Sequence, residues 1–415
     1  MAKENFDSSW IRKKIDNKDF NVIESTFPLE VAAQSLKFHK QIPSYKPTPL
    51  INLENLAKLL KVGGIWVKNE ALRLDLNSFK PLGGSFALFK FIQTKLNIAD
   101  EKMSFEYLKS EEVKKALGDI TFASATDGNH GKGLAWATKQ LGYKCVIYVH
   151  QDTSQHRIDA ISQFGATVKV IKGNYDDAVN QIKVDAQENG WQIVSDTSWE
   201  GYHQIPTWIM QGYGTLVSEV QNQLNEKNIQ KPTHIFVQAG VGALAAAIFG
   251  YYHTIFKESA PECVIIEPLN AACIYESIRL ADGKAHGVEG DLETIMAGLS
   301  CGHPSEVAYS VLKNSAETFI KVPDYYASRG MRMFASPLNG DQSIVSGESG
   351  AVALGLLLSL MEEHKFSKLR KELKLDENSQ ILIVNTEGDT DPLHYRQVVW
   401  EGSNPVPNDR WTQLY

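Results

Sequence analysis

From about residue 60 to residue 390, short apolar runs alternate with longer segments of helical periodicity. That alternation predicts an α/β fold built on mostly parallel sheet, with helices flanking the strands. Strands are expected at residues 65–68, 121–125, 145–149, 167–171, 192–196, 234–238, 263–267 and 380–385. Helical patterns lie between them at 131–141, 155–164 and 175–189, and Gly142, Gly165 and Gly190 stand where those helices should stop. The charged, amphipathic stretch 100–117 reads as a surface helical insertion. At 415 residues the chain exceeds one small core and suggests two domains. The polar stretch 225–232, ending in Lys-Pro, is the expected crossing between them.

Lys80 stands in Asn77-Ser78-Phe79-Lys80-Pro81-Leu82-Gly83-Gly84. Pro81 suits the first helical position, because its ring fixes φ and its missing N–H is not needed there. The residue before a proline is pushed toward extended backbone, so Lys80 is expected to project from the start of the run 82–96. Gly83 and Gly84 are expected to leave room for a flat group against the backbone. A lysine presented in a tight apolar pocket suits a Schiff base with pyridoxal phosphate, although a plain helix N-terminus with a solvated lysine would share the octapeptide.

Two strand-to-helix turns add anion sites. Thr126-Asp127-Gly128-Asn129-His130-Gly131 follows the run 121–125, and its N–H groups suit a carboxylate or a cofactor oxygen. An ordinary capped turn would use Asp127 and Asn129 on their own backbone. Gln238-Ala239-Gly240-Val241-Gly242-Ala243 follows the run 234–238 and can cradle a phosphate. It also fits the dinucleotide pattern G-x-G-x-x-A, with Glu267 as the ribose acid, which keeps a nicotinamide-dependent oxidoreductase as a distant alternative.

The remaining composition narrows the partners. A formal net charge of −7 without a basic stripe argues against nucleic acid. The longest uncharged apolar run, 351–361, is too short to span a bilayer. The first residues lack an apolar signal core, and four scattered cysteines make no disulfide framework, so a cytoplasmic enzyme is expected.

Taken in chain order, the lysine segment, the Thr126–Gly131 loop and the glycine loop resemble the fold-type-II family of pyridoxal-phosphate enzymes, which includes serine/threonine dehydratases and tryptophan synthase β. Pro47-Thr48-Pro49-Leu50 resembles the opening of that family. The segments 196–202, 205–213, 294–299, 346–351 and 385–391 are similar to those of 2,3-diaminopropionate ammonia-lyases, over roughly residues 25–402. Departures are Pro81 directly after the lysine, Ser78 before Phe79, and no counterpart for the first 20 residues.

The resemblance implies two open, twisted, mostly parallel sheets in a large and a small domain. Residues 25–90 with 230–402 would form the large cofactor-binding domain, 91–229 the smaller one, and 1–24 and 403–415 peripheral tails. It implies elimination from D- and L-diaminopropionate to pyruvate and ammonia, a small amino-acid substrate, and a homodimer. Lys80 would carry the cofactor and serve as base, and Asp127 would be the second acid/base on the opposite face of Cα. The pyridinium ring would store the charge left at Cα. Asp127 and Asp196 are both candidates to hold the departing ammonium, since ammonia leaves well only from a protonated nitrogen. Gly240, Val241, Gly242 and Ala243 would bind the phosphate, Asn129 the cofactor O3′, and Thr386 the pyridine nitrogen. Thr126, Asp127, Gly128, His130 and Asp196 would contact substrate. Serine or threonine dehydration on the same fold is the alternative. The alternative for Asp196 is a strand-end carboxylate capping Trp199, and Glu348 either approaches the ring or serves a turn. Asp389 and Asp391 look like a metal cluster but equally like a solvated loop, so no metal is assigned. Cys273 and Cys301 flank the loop 281–290 and are expected as reduced thiols near a mobile lid.

Overall fold

The computed structural model describes residues 8–15, 18–126 and 128–408. Among them the strands are β1 (Ser9–Arg12), β2 (Leu50–Asn52), β3 (Gly64–Asn69), β4 (Thr121–Thr126), β5 (Lys144–His150) and β6 (Thr167–Ile171). They continue with β7 (Gln192–Ile193), β8 (His234–Gln238), β9 (Glu262–Pro268), β10 (Thr318–Val322) and β11 (Gln380–Asn385). One sheet runs β1-β10-β9-β8-β11-β3-β2 and the other β6-β5-β4-β7. The smaller sheet is wholly parallel. In the larger one only the edge pairs β1–β10 and β2–β3 are antiparallel. The α/β class with mostly parallel sheet is therefore as the alternation dictated, and both central regions bury strands on two faces.

All eight expected strands are present. β7 ends at Ile193 instead of reaching 196, because Asp196 leaves the ladder to meet a lysine described below. Three short strands escaped the sequence. β1 lies in the segment expected as a peripheral tail, yet it pairs with β10, Ser9 opposite Lys321. Side-chain anchors explain this: Trp10 packs against the Phe366 ring at 5.5 Å, and Arg12 pairs with Glu262 at 2.6 Å. The stretch 100–117 is broken into the helices Phe105–Leu108 and Glu111–Leu117, because Ser104 and Ser110 each accept a backbone N–H and start a new helix. Between β7 and β8 the chain forms the helices Gln204–Gly212 and Gly214–Asn225 before it rejoins the larger sheet.

The helix Lys80–Leu96 joins the two sheets' layers. Phe86, Leu88 and Ile92 on it are fully buried, each contributing about 1.5–3 kcal/mol. Its two early glycines serve this packing. A Cβ at Gly83 would come within 2.7 Å of Ile209 and Tyr213, and one at Gly84 within 3.4 Å of Leu134. The room expected for a flat ligand is thus filled by neighbouring helices, and a Gly83→Ala change would force two helices apart.

Beneath that helix lies a fully buried charge cluster. Glu219 accepts from Lys68 Nζ, from Arg73 Nη1 and Nη2, all at 2.7 Å, and from Tyr45. Arg73 also donates to Glu70 at 2.8 and 2.9 Å, and Thr48 donates to Glu70 at 2.5 Å. Burial alone would raise the Glu219 carboxyl, but Arg73 and Lys68 hold it down at about 2. Thr48, noted only as part of a familiar opening, is a hub of this cluster.

His39 sits next to it, bonded to Thr215 Oγ1 at 2.6 Å and within 3.1 Å of Leu82 O and Ser85 Oγ in the lysine helix. Burial, with Arg73 nearby, depresses the imidazole to about 3. The native state therefore refuses a proton that the unfolded chain binds near pH 6.5. Stability from this group is complete above pH 6.5 and falls as acid is added toward pH 3, by about 1.4 kcal/mol per pH unit for one proton. Urea denaturation between pH 7 and pH 5 should show that decline, and His39→Gln should flatten it. An unchanged slope in the variant would remove His39 from the account.

Candidate active site

Three left-handed residues, Leu74 (φ 52), Asp75 (φ 57) and Asn77 (φ 62), precede the lysine. None is glycine, so the segment stores strain of about 1–3 kcal/mol each, which the surrounding bonds must hold. Arg73 anchors one end in the buried charge cluster. At the other end Phe79 N donates to Thr386 O at 3.2 Å, and Gly388 N donates to Asn77 O at 3.0 Å. Lys80 itself is the first residue of its helix, with Phe79 as N-cap. The expected extended backbone is not adopted. Pro81 falls where the N–H would be unbonded anyway, and the tethered loop outweighs the pre-proline preference.

Lys80 Nζ donates to Asp196 Oδ2. The Phe79 ring lies 5.5 Å from the same nitrogen, and Tyr213 packs edge-on to Phe79 at 4.8 Å. Asp196 is buried. Burial would raise its carboxyl, but His130 and Lys80 outweigh that and hold it at about 2. It is thus a carboxylate at neutral pH, and it does not cap Trp199, which stacks on Tyr202 at 4.2 Å. His130 Nε2–H donates to Val194 O at 2.8 Å, with Nδ1 3.8 Å from Asp196 Oδ2.

One cavity joins Lys80, Thr126, Asn129, His130, Asp196, Gly240, Val241, Gly242, Ala243 and Thr386. Distant parts of the sequence therefore meet as expected. Gly128 stands just behind: its N–H donates to Thr126 Oγ1 at 2.9 Å, and its Cα faces the Arg157 side chain. Gly131 N donates to the same oxygen at 3.0 Å, so Thr126 organises the turn. Asp127 lies outside the described residues. Asn129 donates to Glu387 at 2.5 Å.

Opposite the lysine, Gly240–Ala243 opens the helix Ala243–Phe256. Gly242 has φ 93, and a Cβ on Gly240 would approach Cys301 Sγ to 3.0 Å. Glycine is required at both positions, and the loop's N–H groups with the helix dipole suit a dianion. Cys273 and Cys301 carry thiols, not a disulfide. They pack against this loop, Cys273 Sγ lying 3.7 Å from Gly240 O.

Several wall residues were not foreseen: Phe79, Tyr213, Gln238, Ser349 and Glu387. Each adjoins or lies within a segment singled out from the sequence, but no local pattern says which side chain turns inward. Glu348 points elsewhere, its Oε1 2.5 Å from His394 Nδ1, while its neighbour Ser349 lines the cavity. Glu267 accepts from Ile274 N and Tyr275 N at 2.8 and 2.7 Å, capping the helix Cys273–Leu280. The dinucleotide reading thereby loses its ribose-binding acid. Asp391 caps the helix Pro392–Val399, and Asp389 accepts from Asn77 at 3.1 Å. Among the described residues no group of three or more His, Cys, Asp or Glu is placed to hold a metal, and no helix is long and apolar enough to cross a membrane.

Among the described residues, buried polar atoms of the cavity's wall such as Gln238 Oε1, Ser349 Oγ, Tyr213 OH and His130 Nδ1 have no hydrogen-bond partner. Leaving such groups bare costs about 1–3 kcal/mol each, so a polar occupant fits. To use both the phosphate cradle and the amine across from it, that occupant needs a phosphate at one end and an aldehyde at the other. Pyridoxal 5'-phosphate has that form, and the chain belongs to the pyridoxal-phosphate-dependent enzyme family, whose profile matches residues 42–387. The fold is fold type II.

Within that family the chain is similar to the diaminopropionate ammonia-lyase of Escherichia coli K12, with 44% identity over 393 residues, 94% of this chain and 97% of the relative. The holo crystal structure of the E. coli diaminopropionate ammonia-lyase matches with a TM-score of 0.90 and 42% identity, covering 97% of this chain and 99% of that one. The E. coli enzyme in complex with an aminoacrylate–PLP azomethine reaction intermediate matches with a TM-score of 0.88 and 40% identity, covering 97% and 99%.

Proposed function

We propose that this chain is a pyridoxal-phosphate ammonia-lyase that converts D- and L-2,3-diaminopropionate to pyruvate and ammonia. The observation that carries this reading is the ionised Asp196 carboxylate bonded to Lys80 Nζ inside the cavity. A hydroxyl leaving group has no use for a fixed anion there, whereas a β-ammonium group does. The likeness to diaminopropionate ammonia-lyases over most of both chains supports it.

Lys80, Gly240, Val241, Gly242, Ala243, Asn129 and Thr386 would hold the cofactor. When bound, it supplies an aldehyde for the substrate amine and a conjugated ring that stores the electron pair left at Cα. Lys80 Nζ, released from the aldehyde, takes the proton from one face of Cα. Asp196 stays ionised, so it holds the β-ammonium in position and does not itself act as the acid. His130, which donates to Val194 O, borders that carboxylate with Nδ1 3.8 Å away. The N–H groups of the turn organised by Thr126 and Gly128 receive the substrate carboxylate. Phe79 and Tyr213 wall the lysine from water. Asp127 is assigned to the opposite face of Cα.

Purified enzyme should release ammonia and pyruvate from diaminopropionate with kcat/KM roughly tenfold to a hundredfold above that for serine or threonine, the worth of a hydrogen bond to a charged group. A preference for serine or threonine would replace this reading with dehydration. A colourless protein that binds a nicotinamide nucleotide would replace it with oxidoreduction. Replacing Asp127 with asparagine should lower kcat on the D-isomer by about a hundredfold or more and spare the L-isomer, since a missing proton-transfer group costs roughly 10²–10⁴. Equal losses on the two isomers would remove Asp127 from that role.

A further inference from the structure

The turn after β5 leads into the helix Gln155–Ser162, and two hydroxyls at this junction are unmatched. Thr153 is 9% exposed, and among the described residues neither its Oγ1 nor Ser154 Oγ has a hydrogen-bond partner. Ser154 is the N-cap residue, yet its side chain accepts nothing from the helix it opens. The first backbone bond of that helix runs from Ile158 N to Ser154 O at 3.1 Å. The N–H groups of Gln155, His156 and Arg157 therefore have no acceptor within the helix. Donors, the positive end of the helix dipole and two bare hydroxyls meet at one corner.

That corner lines a cleft of about 1000 Å³ that shares no lining residue with the cofactor cavity. Arg157 stands on the same side, its aliphatic stem against Gly128. Glu293, Asp324 and Asp391 lie on the cleft's other segments. Two of these acids already serve the protein. Asp324 accepts from Thr294 Oγ1 at 2.5 Å and from Ile295 N at 3.1 Å, and Asp391 caps the helix Pro392–Val399. Glu293, and Asp152 beside the turn, are exposed at the rim. A phosphate dianion drawn to the corner would be repelled by these two carboxylates. A molecule with a carboxylate at one end and ammonium groups at the other suits both.

We propose that this cleft is a second amino-acid site, outside the cofactor cavity. The ligand carboxylate takes the N–H groups and hydroxyls of residues 153–157, and its ammonium groups turn toward Asp152 and Glu293. Diaminopropionate, with one carboxylate and two amines, matches one anion corner and two acids. Only this choice of ligand rests on the proposed function. The cleft adjoins the cavity through the chain, since Ala297 lines the one and Gly298 the other.

The test uses the whole holoenzyme after borohydride reduction, in which hydride addition converts the Lys80 imine to a secondary amine that no longer exchanges with an amino acid. Calorimetric titration with L-2,3-diaminopropionate should show binding with a dissociation constant of roughly millimolar order, which a ligand this small can reach. Propane-1,2-diamine, the same skeleton without the carboxylate, should not bind, and inorganic phosphate should bind more weakly than the amino acid. Thr153→Val should weaken diaminopropionate binding by about tenfold, the value of one hydrogen bond to a charged group, and Thr153→Ser should restore it. Ser154→Ala should weaken it to a similar degree, and it serves alone if Thr153→Val fails to fold. The inference is overturned by an absence of binding, by binding that the hydroxyl variants leave unchanged, or by phosphate bound more tightly than diaminopropionate. Turnover of the unreduced enzyme tests the substrate assignment, so that reading and this site fail in separate experiments.

Discussion

Replacing Lys80 with alanine is expected to lower turnover by at least about a thousandfold and to abolish the visible absorbance of the enzyme-bound cofactor, because the proposed reading gives the covalent link to the Lys80 amine. The alanine variant also leaves the buried Asp196 carboxylate without its ammonium partner, so some loss of stability will accompany the loss of chemistry. Lys80→Arg separates the two effects. It keeps a positive charge beside Asp196 but offers no amine that condenses with the aldehyde. Both variants should be inactive and resist borohydride trapping, with the arginine variant the more stable in urea. Activity in either variant above about a tenth of wild type would show that position 80 does not carry the cofactor.

The second large effect lies away from the chemistry. Arg73→Met should destabilise the fold by about 3–5 kcal/mol, because it strips Glu70 and Glu219 of their shared guanidinium while both stay buried. Thr48, Lys68 and Tyr45 cannot replace it, since each already makes its own bond to the cluster. The same change loosens the strained segment that ends at Lys80, so the surviving folded protein should also lose activity. Equilibrium unfolding of the cofactor-free chain, read alongside kcat, checks both. A loss under about 1 kcal/mol would mean that the cluster contributes little beyond its packing.

Much of the fold was legible because its signals are local. Short β-branched runs followed by helical periodicity mark β3 through β6, β8, β9 and β11, and the turns after β4 and β8 announce themselves through residues that suit anions. β1 and β2 were missed because edge strands of three or four residues carry too little pattern, and β10 was missed as well. The site was legible to the same degree. Lys80, Asn129 and Gly240, singled out from their turns, and Thr386, named from the resemblance, all line the cavity, as do Tyr213, Gln238, Ser349 and Glu387, which were not named. Each of the latter sits in or beside a helix or strand that would read the same if its side chain faced away. Gly83 shows the opposite error: its smallness was read as room for a ligand, and the neighbouring helix Gln204–Gly212 fills it.

The sequence alone determined the lysine segment and the two turns suited to anions, each from residues close together in the chain, and the order of those segments along the chain pointed to the α/β layering and the cofactor class. Tertiary structure alone decided that Asp196 meets Lys80, that Arg73 and Glu219 share a buried charge cluster, and that Gln238 donates to Thr386. Those contacts join residues more than a hundred positions apart. Hydrogen-bond geometry across such separations is fixed only once the helices and strands between them have packed.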